Sequence, residues 1–143
     1  MRRGDDRGTA TVEFIWMSLL LLVPLVYVLI AVFDTQRAAY GVSAASRSAA
    51  LAFLQSSDAV AGEHRARVAA DAALADQGVE GADVQVTCLP AASACFEPGS
   101  SVRVVVRATQ RLPLTPRVLG PRLGSIAVDS THTESYGSYR AAR

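Results

Sequence analysis

From Phe14 to Phe33 the chain reads FIWMSLLLLVPLVYVLIAVF, twenty residues without a charge, bounded by Glu13 and Asp34. At a rise of about 1.5 Å per residue such a helix spans roughly 30 Å, the thickness of a bilayer's hydrocarbon core. A soluble domain would have to surround this helix with apolar surface, and a chain of 143 residues has too little elsewhere to do so. The run therefore predicts one membrane-crossing helix. A cleavable secretory signal is the main competitor, because Arg2, Arg3 and Arg7 precede the run. However, the run exceeds the usual signal core of roughly 7–15 residues, and Asp-Thr-Gln-Arg follows it instead of a small-x-small cleavage site. Pro24 removes one backbone hydrogen bond mid-span, which membrane helices tolerate; it predicts a bend, either incidental or used to pack the helix into an assembly.

The hydrophobic fraction of 50% is near the globular average, yet much of it sits in this one block and in alanine elsewhere. What remains is enough for one small domain and not for a multidomain enzyme. With 14 basic and 13 acidic residues the net charge is +1, so no long-range field exists to recruit nucleic acid. All the basic residues are Arg and none is Lys, which with the alanine content points to a GC-rich, bacterial coding genome.

No strong turn signal follows the apolar run until Ser56-Ser57-Asp58, so the helix is expected to continue past the bilayer to about Leu54. Along it Gly41, Ala45 and Ala49 recur every fourth residue, with Ala38, Val42 and Ala52 alongside. Such a seam of small side chains allows close helix approach, either under the protein's own C-terminal domain or against another subunit. Asp58 is placed to cap a second helix running to about Gln77 and ended by Gly78, with Ala61, Val68, Ala72 and Ala75 on one face. Glu63, Arg65, Arg67, Asp71 and Asp76 fall mostly on its wet side.

After Gly81 the apolar period becomes two. Val84, Val86 and Cys88 alternate with Gln85 and Thr87, then Val102, Val104 and Val106 alternate with Arg103 and Arg107 over Ser101 to Ala108. The two arginines are expected to face water. Three prolines between Leu112 and Pro121 demand a loop or extended chain, and Ile126 and Val128 open a third strand through Ser130 and His132. The predicted class is α+β: a long N-terminal transmembrane helix continuing into residues 57–143, a small domain with a second helix and a roughly three-stranded antiparallel sheet carrying a helix on its apolar face.

Cys88 and Cys95 are the only cysteines. Too few partners lie nearby for a zinc site, and the spacing is wider than the Cys-x-x-Cys of a catalytic dithiol, so a structural disulfide is predicted. A disulfide needs an oxidising compartment. That requirement agrees with the slight excess of Arg before the span in placing the N-terminus in the cytoplasm and the C-terminal domain outside it.

Directly before the span stands Arg7-Gly8-Thr9-Ala10-Thr11-Val12-Glu13-Phe14. A carboxylate at the mouth of a membrane helix is costly unless it meets a positive partner. A glycine followed at the fifth position by Glu, ahead of an apolar helix, resembles the processing site of type IV prepilins. More narrowly, this octapeptide, the apolar stretch and the Arg37-Ala-Ala to Ser46-Arg-Ser-Ala-Ala region resemble the TadE/TadF minor pilins of tight-adherence pilus systems, most clearly over the first 50 residues or so. The resemblance implies a membrane prepilin-type peptidase cutting Gly8–Thr9 and releasing residues 1–8 as a short basic leader. The new α-amino group at Thr9 would pair with Glu13 of a neighbouring subunit. Thr at the position after the cut departs from the large apolar residue common in major pilins. Without cleavage, Glu13 would pair locally with Arg7 or a lipid headgroup.

His64 and His132 lie in no nucleophile, metal or phosphate motif and are expected on the surface, and no glycine-rich phosphate loop follows a strand. The sequence therefore predicts a non-enzymatic structural or assembly component, a minor pilin or pseudopilin of a bacterial tight-adherence pilus or related secretion machine, localised to the cell membrane. Its expected partners are membrane lipid, the prepilin-type peptidase, other pilin or pseudopilin subunits and the inner-membrane pilus platform. No cofactor, metal, nucleic acid or small-molecule substrate is predicted. An uncleaved membrane-anchored scaffold or adhesion module is the alternative, and an anchored extracytoplasmic enzyme a more distant one.

Overall fold

The computed structural model describes residues 9–113 and 124–139. The chain is α+β, with elements α1 (Thr9–Leu54), α2 (Ala59–Ala75), β1 (Asp83–Leu89), β2 (Ser101–Arg111) and β3 (Ser125–Ser135). The predicted order of elements is the observed one. Strand ends move outward: β2 runs to Arg111 and β3 to Ser135. Most of the proline-rich segment expected between β2 and β3 lies outside the described residues.

A single 46-residue helix, α1, carries the whole apolar run and continues unbroken through Pro24. It is long and apolar enough to cross a membrane, and its most apolar stretch is not buried inside the fold. Leu20 remains 72% exposed. From Ala38 onward the same helix changes role. Ala38, Val42, Ala45, Ala49 and Phe53 are fully buried, and they form the centre of the hydrophobic core.

Asp58 caps α2, its side chain accepting from the Ala61 amide at 2.9 Å. The far end closes on Gly78, at φ 67°, where the amide of Val79 returns to the carbonyl of Leu74 at 3.0 Å. Only a residue free of a Cβ takes that left-handed turn at no steric cost. The buried face of α2 differs from the sequence expectation. Gly62, Ala66, Ala70 and Leu74 point inward, whereas Ala72 and Ala75 are exposed and Val68 is 56% exposed. Closeness of approach decides this: a Cβ built on Gly62 would stand 2.8 Å from the Phe53 ring. Small side chains at every fourth position let α2 press its backbone onto α1, a fit that Val68 would obstruct. Glu63, Arg65, Arg67, Asp71 and Asp76 are exposed, as expected.

The sheet is antiparallel in the order β1-β2-β3. Its inner face presents Val102, Val104, Val106 and Ala108, all buried, against the helices. α1 covers β2 and β3, and α2 lies beside it toward β1. Arg103 and Arg107 are exposed on the outer face, as the alternation predicts. There Arg107 stands in register between Asp83 of β1 and Asp129 of β3, an opposite-charge arrangement that favours this strand alignment.

Cys88 and Cys95 form a disulfide, with Cα atoms 5.0 Å apart, stapling the loop that follows β1. Phe96, next in the chain, stacks on Phe53 of α1 at 5.4 Å between ring centroids and meets the edge of the Tyr136 ring at 5.7 Å. Covalent and aromatic contacts together fasten the loop and the end of β3 to the distal end of α1.

Candidate functional site

The residues singled out at the start of the chain separate into those within and those outside the described part. Gly8 lies outside it. Thr9 is the first residue of α1, and Glu13 stands one turn further on, exposed and without an ion pair among the described residues. In a helix, positions four apart share a face. Positions 9 and 13 of α1 therefore fall on one face of the helix. What the geometry offers is a single acidic side chain at the mouth of an exposed apolar rod, open to a positive partner from elsewhere.

Gly41, Ala45 and Ala49 are all buried within this chain. A Cβ on Gly41 would meet Gln77 at 3.3 Å and the Leu74 side chain at 3.6 Å, so this part of the seam receives the end of α2. Ser48 Oγ donates to the Ala69 carbonyl of α2 at 3.3 Å. On the sheet side, Ser46 Oγ lies 3.2 Å from Ser130 Oγ of β3. The seam is occupied from both sides by the protein's own elements.

His64 is exposed on α2. His132 differs from expectation: it is half-buried, its Nε2 lies 3.1 Å from the Glu134 carboxylate, and it stands in register with buried Val104. The cause is the strand period. Val128, Ser130, His132 and Glu134 share one face of β3, and that face turns toward α1. Sequence reasoning missed this, although the alternation beginning at Val128 carries the signal. The two histidines sit on different elements, His64 on α2 and His132 on β3. The described residues contain no group of His, Cys, Asp and Glu able to hold a metal ion.

Open concavities among the described residues include the following. A polar one of about 340 Å³ lies between Arg67 and Asp71 of α2 and Ala82 to Val84. Another, of about 520 Å³, runs along the outer side of α1 past Tyr40, Arg47 and Leu51 to Gln77. A third, of about 420 Å³, is formed by Tyr27, Val28, Ala31, Val32, Thr35, Gln36 and Ala39 of α1 facing Ile126 of β3. The first gathers the charged side chains of Arg67, Asp71 and Asp83 in an open setting, and the third is almost wholly apolar. Comparison with known families, characterised proteins and solved structures returns no match to this chain.

Proposed function

We propose that this chain is a membrane-anchored, non-enzymatic assembly component of the minor pilin or pseudopilin kind, acting in a bacterial tight-adherence pilus or a related secretion machine. One observation carries the reading. A single helix is exposed and apolar over its first half, while its second half is the core of a small disulfide-stapled head. That division of labour suits a subunit held in lipid by its rod and able to exchange lipid for neighbouring rods.

Supporting details are chemical. The disulfide suits an oxidising compartment, which supports a topology with the head outside the cytoplasm and the arginine-bearing N-terminus inside. Glu13 is exposed where a lone carboxylate in lipid is costly. Cleavage of Gly8–Thr9 by a prepilin-type peptidase would generate an ammonium group at Thr9 able to neutralise Glu13 of an adjacent subunit. Other pilin-like subunits and the inner-membrane platform complete the set of partners. Thr9, in place of a large apolar residue, favours a second reading, an uncleaved anchored scaffold.

N-terminal sequencing of the membrane-extracted protein separates the two. In cells with the cognate peptidase the chain is expected to begin at Thr9, and in cells with an inactivated peptidase at Met1. A chain beginning at Met1 in both removes the processing step and leaves the permanent anchor. Recovery of the full chain in the detergent-free soluble fraction would end both readings.

A further inference from the structure

We propose that the groove between α1 and the start of β3 holds an acyl chain of an outer-leaflet phospholipid, so that the head is seated on the bilayer. The proposal rests on the membrane-anchored reading above.

The groove's position argues for it first. Four of its lining residues, Tyr27, Val28, Ala31 and Val32, belong to the apolar run that ends at Phe33, and Ile126 of β3 faces the same hollow. From Tyr27 to Phe33 the helix rises about 9 Å. If Phe14 to Phe33 lies in lipid, the start of β3 therefore reaches the level of the outer hydrocarbon layer. β3 then climbs away from it, past Ser46 at Ser130, to end where Tyr136 meets Phe96 beside Phe53. The β2–β3 end of the sheet is the membrane-side end of the head.

Chemistry of the walls argues next. Thr35 Oγ1 donates to the Ala31 carbonyl at 2.8 Å, so its hydroxyl is satisfied inside the helix and asks nothing of an occupant. Val28, Ala31, Val32 and Ile126 offer only hydrocarbon. A polar solute would find no partner there, whereas a chain of methylenes loses nothing.

Charge completes the case. The amide of Leu112 donates to the carbonyl of Gly124 at 2.8 Å, so the connection from β2 to β3 departs and returns at this end. Arg111, the last residue of β2 at this end, is exposed. Phosphate headgroups are the complementary surface.

The test uses the wild-type chain in bilayer nanodiscs containing a phospholipid with a photoactivatable diazirine midway along one acyl chain. After irradiation and trypsin digestion, label is expected on the anchor peptide ending at Arg37 and on the peptide from Leu123 to Arg140, there centred on Ile126. The peptide carrying Cys88 and Cys95 at the distal end should stay unlabelled. Ala31→Phe, which fills the groove, should abolish label at Ile126 and leave that on the anchor. Label on the anchor alone in the wild type overturns the proposal and leaves the anchored reading standing. In that case either water or a helix of a second copy occupies the groove. Label on neither peptide overturns both. Persistence of Ile126 label in Ala31→Phe places the lipid outside the groove and also overturns it.

Discussion

Replacing Gly62 by alanine tests whether α2 is held by closeness of approach or by apolar burial. Two effects oppose each other. Alanine is the better helix former by about 1 kcal/mol, so an exposed glycine at this position of α2 would gain stability on substitution. Here the new methyl would stand 2.8 Å from Phe53 Cδ2 and 2.9 Å from Cε2, nearer than real side-chain carbons come. The ring cannot simply slide away, since it is buried and its other side is stacked on Phe96 at 5.4 Å with planes 4° apart. Overpacking of this kind costs roughly 1–3 kcal/mol, and a contact this short belongs at the upper end. The net expectation is a loss of about 1–2 kcal/mol, or a fall in Tm of roughly 5–10 °C for a head of this size. Thermal unfolding followed by circular dichroism in detergent or nanodiscs reads it, provided the α1 signal is subtracted using the anchor's own baseline. Phe53→Leu supplies the control, because a narrower side chain leaves room for the methyl. In that background Gly62→Ala should become neutral or mildly stabilising. A rise in Tm for Gly62→Ala alone, with Phe53 intact, would refute the account of helix packing given above.

Two further outcomes follow from the head. Cys88→Ala with Cys95→Ala opens the short loop after β1 and should cost about 2–3 kcal/mol in the chain-entropy picture, with the same loss on reduction of the wild type. An unchanged Tm after verified reduction contradicts this. Asp58 carries a pH-dependent contribution: the Ala61 amide first, and then the Ser57 hydroxyl, hold its carboxyl below its ordinary value of 3.8. A depressed folded value means the stabilisation is fully present above 3.8 and is lost as pH falls through the folded value. Helical signal between about pH 5 and pH 2 should therefore fall less steeply in Asp58→Asn, which keeps a capping oxygen without the titration. Equal slopes would show that the cap does not titrate with folding.

Much of this architecture is legible from the residue pattern, and the exceptions share a cause. The end of α1, the Asp58 cap and the three strands are written in local chemistry: turn residues, a capping carboxylate, a period of two. The buried face of α2 is not. Alanine and valine occur all round that helix, and Val60 ends 82% exposed while Gly62 is buried. Hydrophobicity cannot rank faces that differ mainly in bulk, and the selection comes from Phe53, about 30 Å of helix beyond the end of the apolar run by the usual rise per residue. The inward turn of His132 is likewise a matter of which side of β3 α1 happens to cover. For the candidate site, Glu13 and the apolar run are visible as a carboxylate beside hydrocarbon. The groove facing Tyr27 is not, because it needs Ile126, which the chain reaches only after both helices and two strands.

The allocation of α1's surface limits how such a subunit can meet its neighbours. Gly41, Ala45 and Ala49, the residues best suited to close helix contact, are already enclosed by α2 and the sheet. Contact between copies through that seam would require the head to come apart, forfeiting the core around Phe53 and Leu74. The unpartnered part of α1 is the stretch before Ala38, whose exposed side chains are large: Phe14, Trp16, Leu20 and Phe33. Large aliphatic and aromatic residues pack helices at wider spacing than small ones and are equally content with lipid tails. Neighbouring rods therefore gain little from apolar contact alone while they remain in a bilayer. On the proposed pilin-like reading, a charge pair at the mouth of the rod would supply the specificity that this surface lacks, and Glu13 would then carry a selective role in assembly out of proportion to its size.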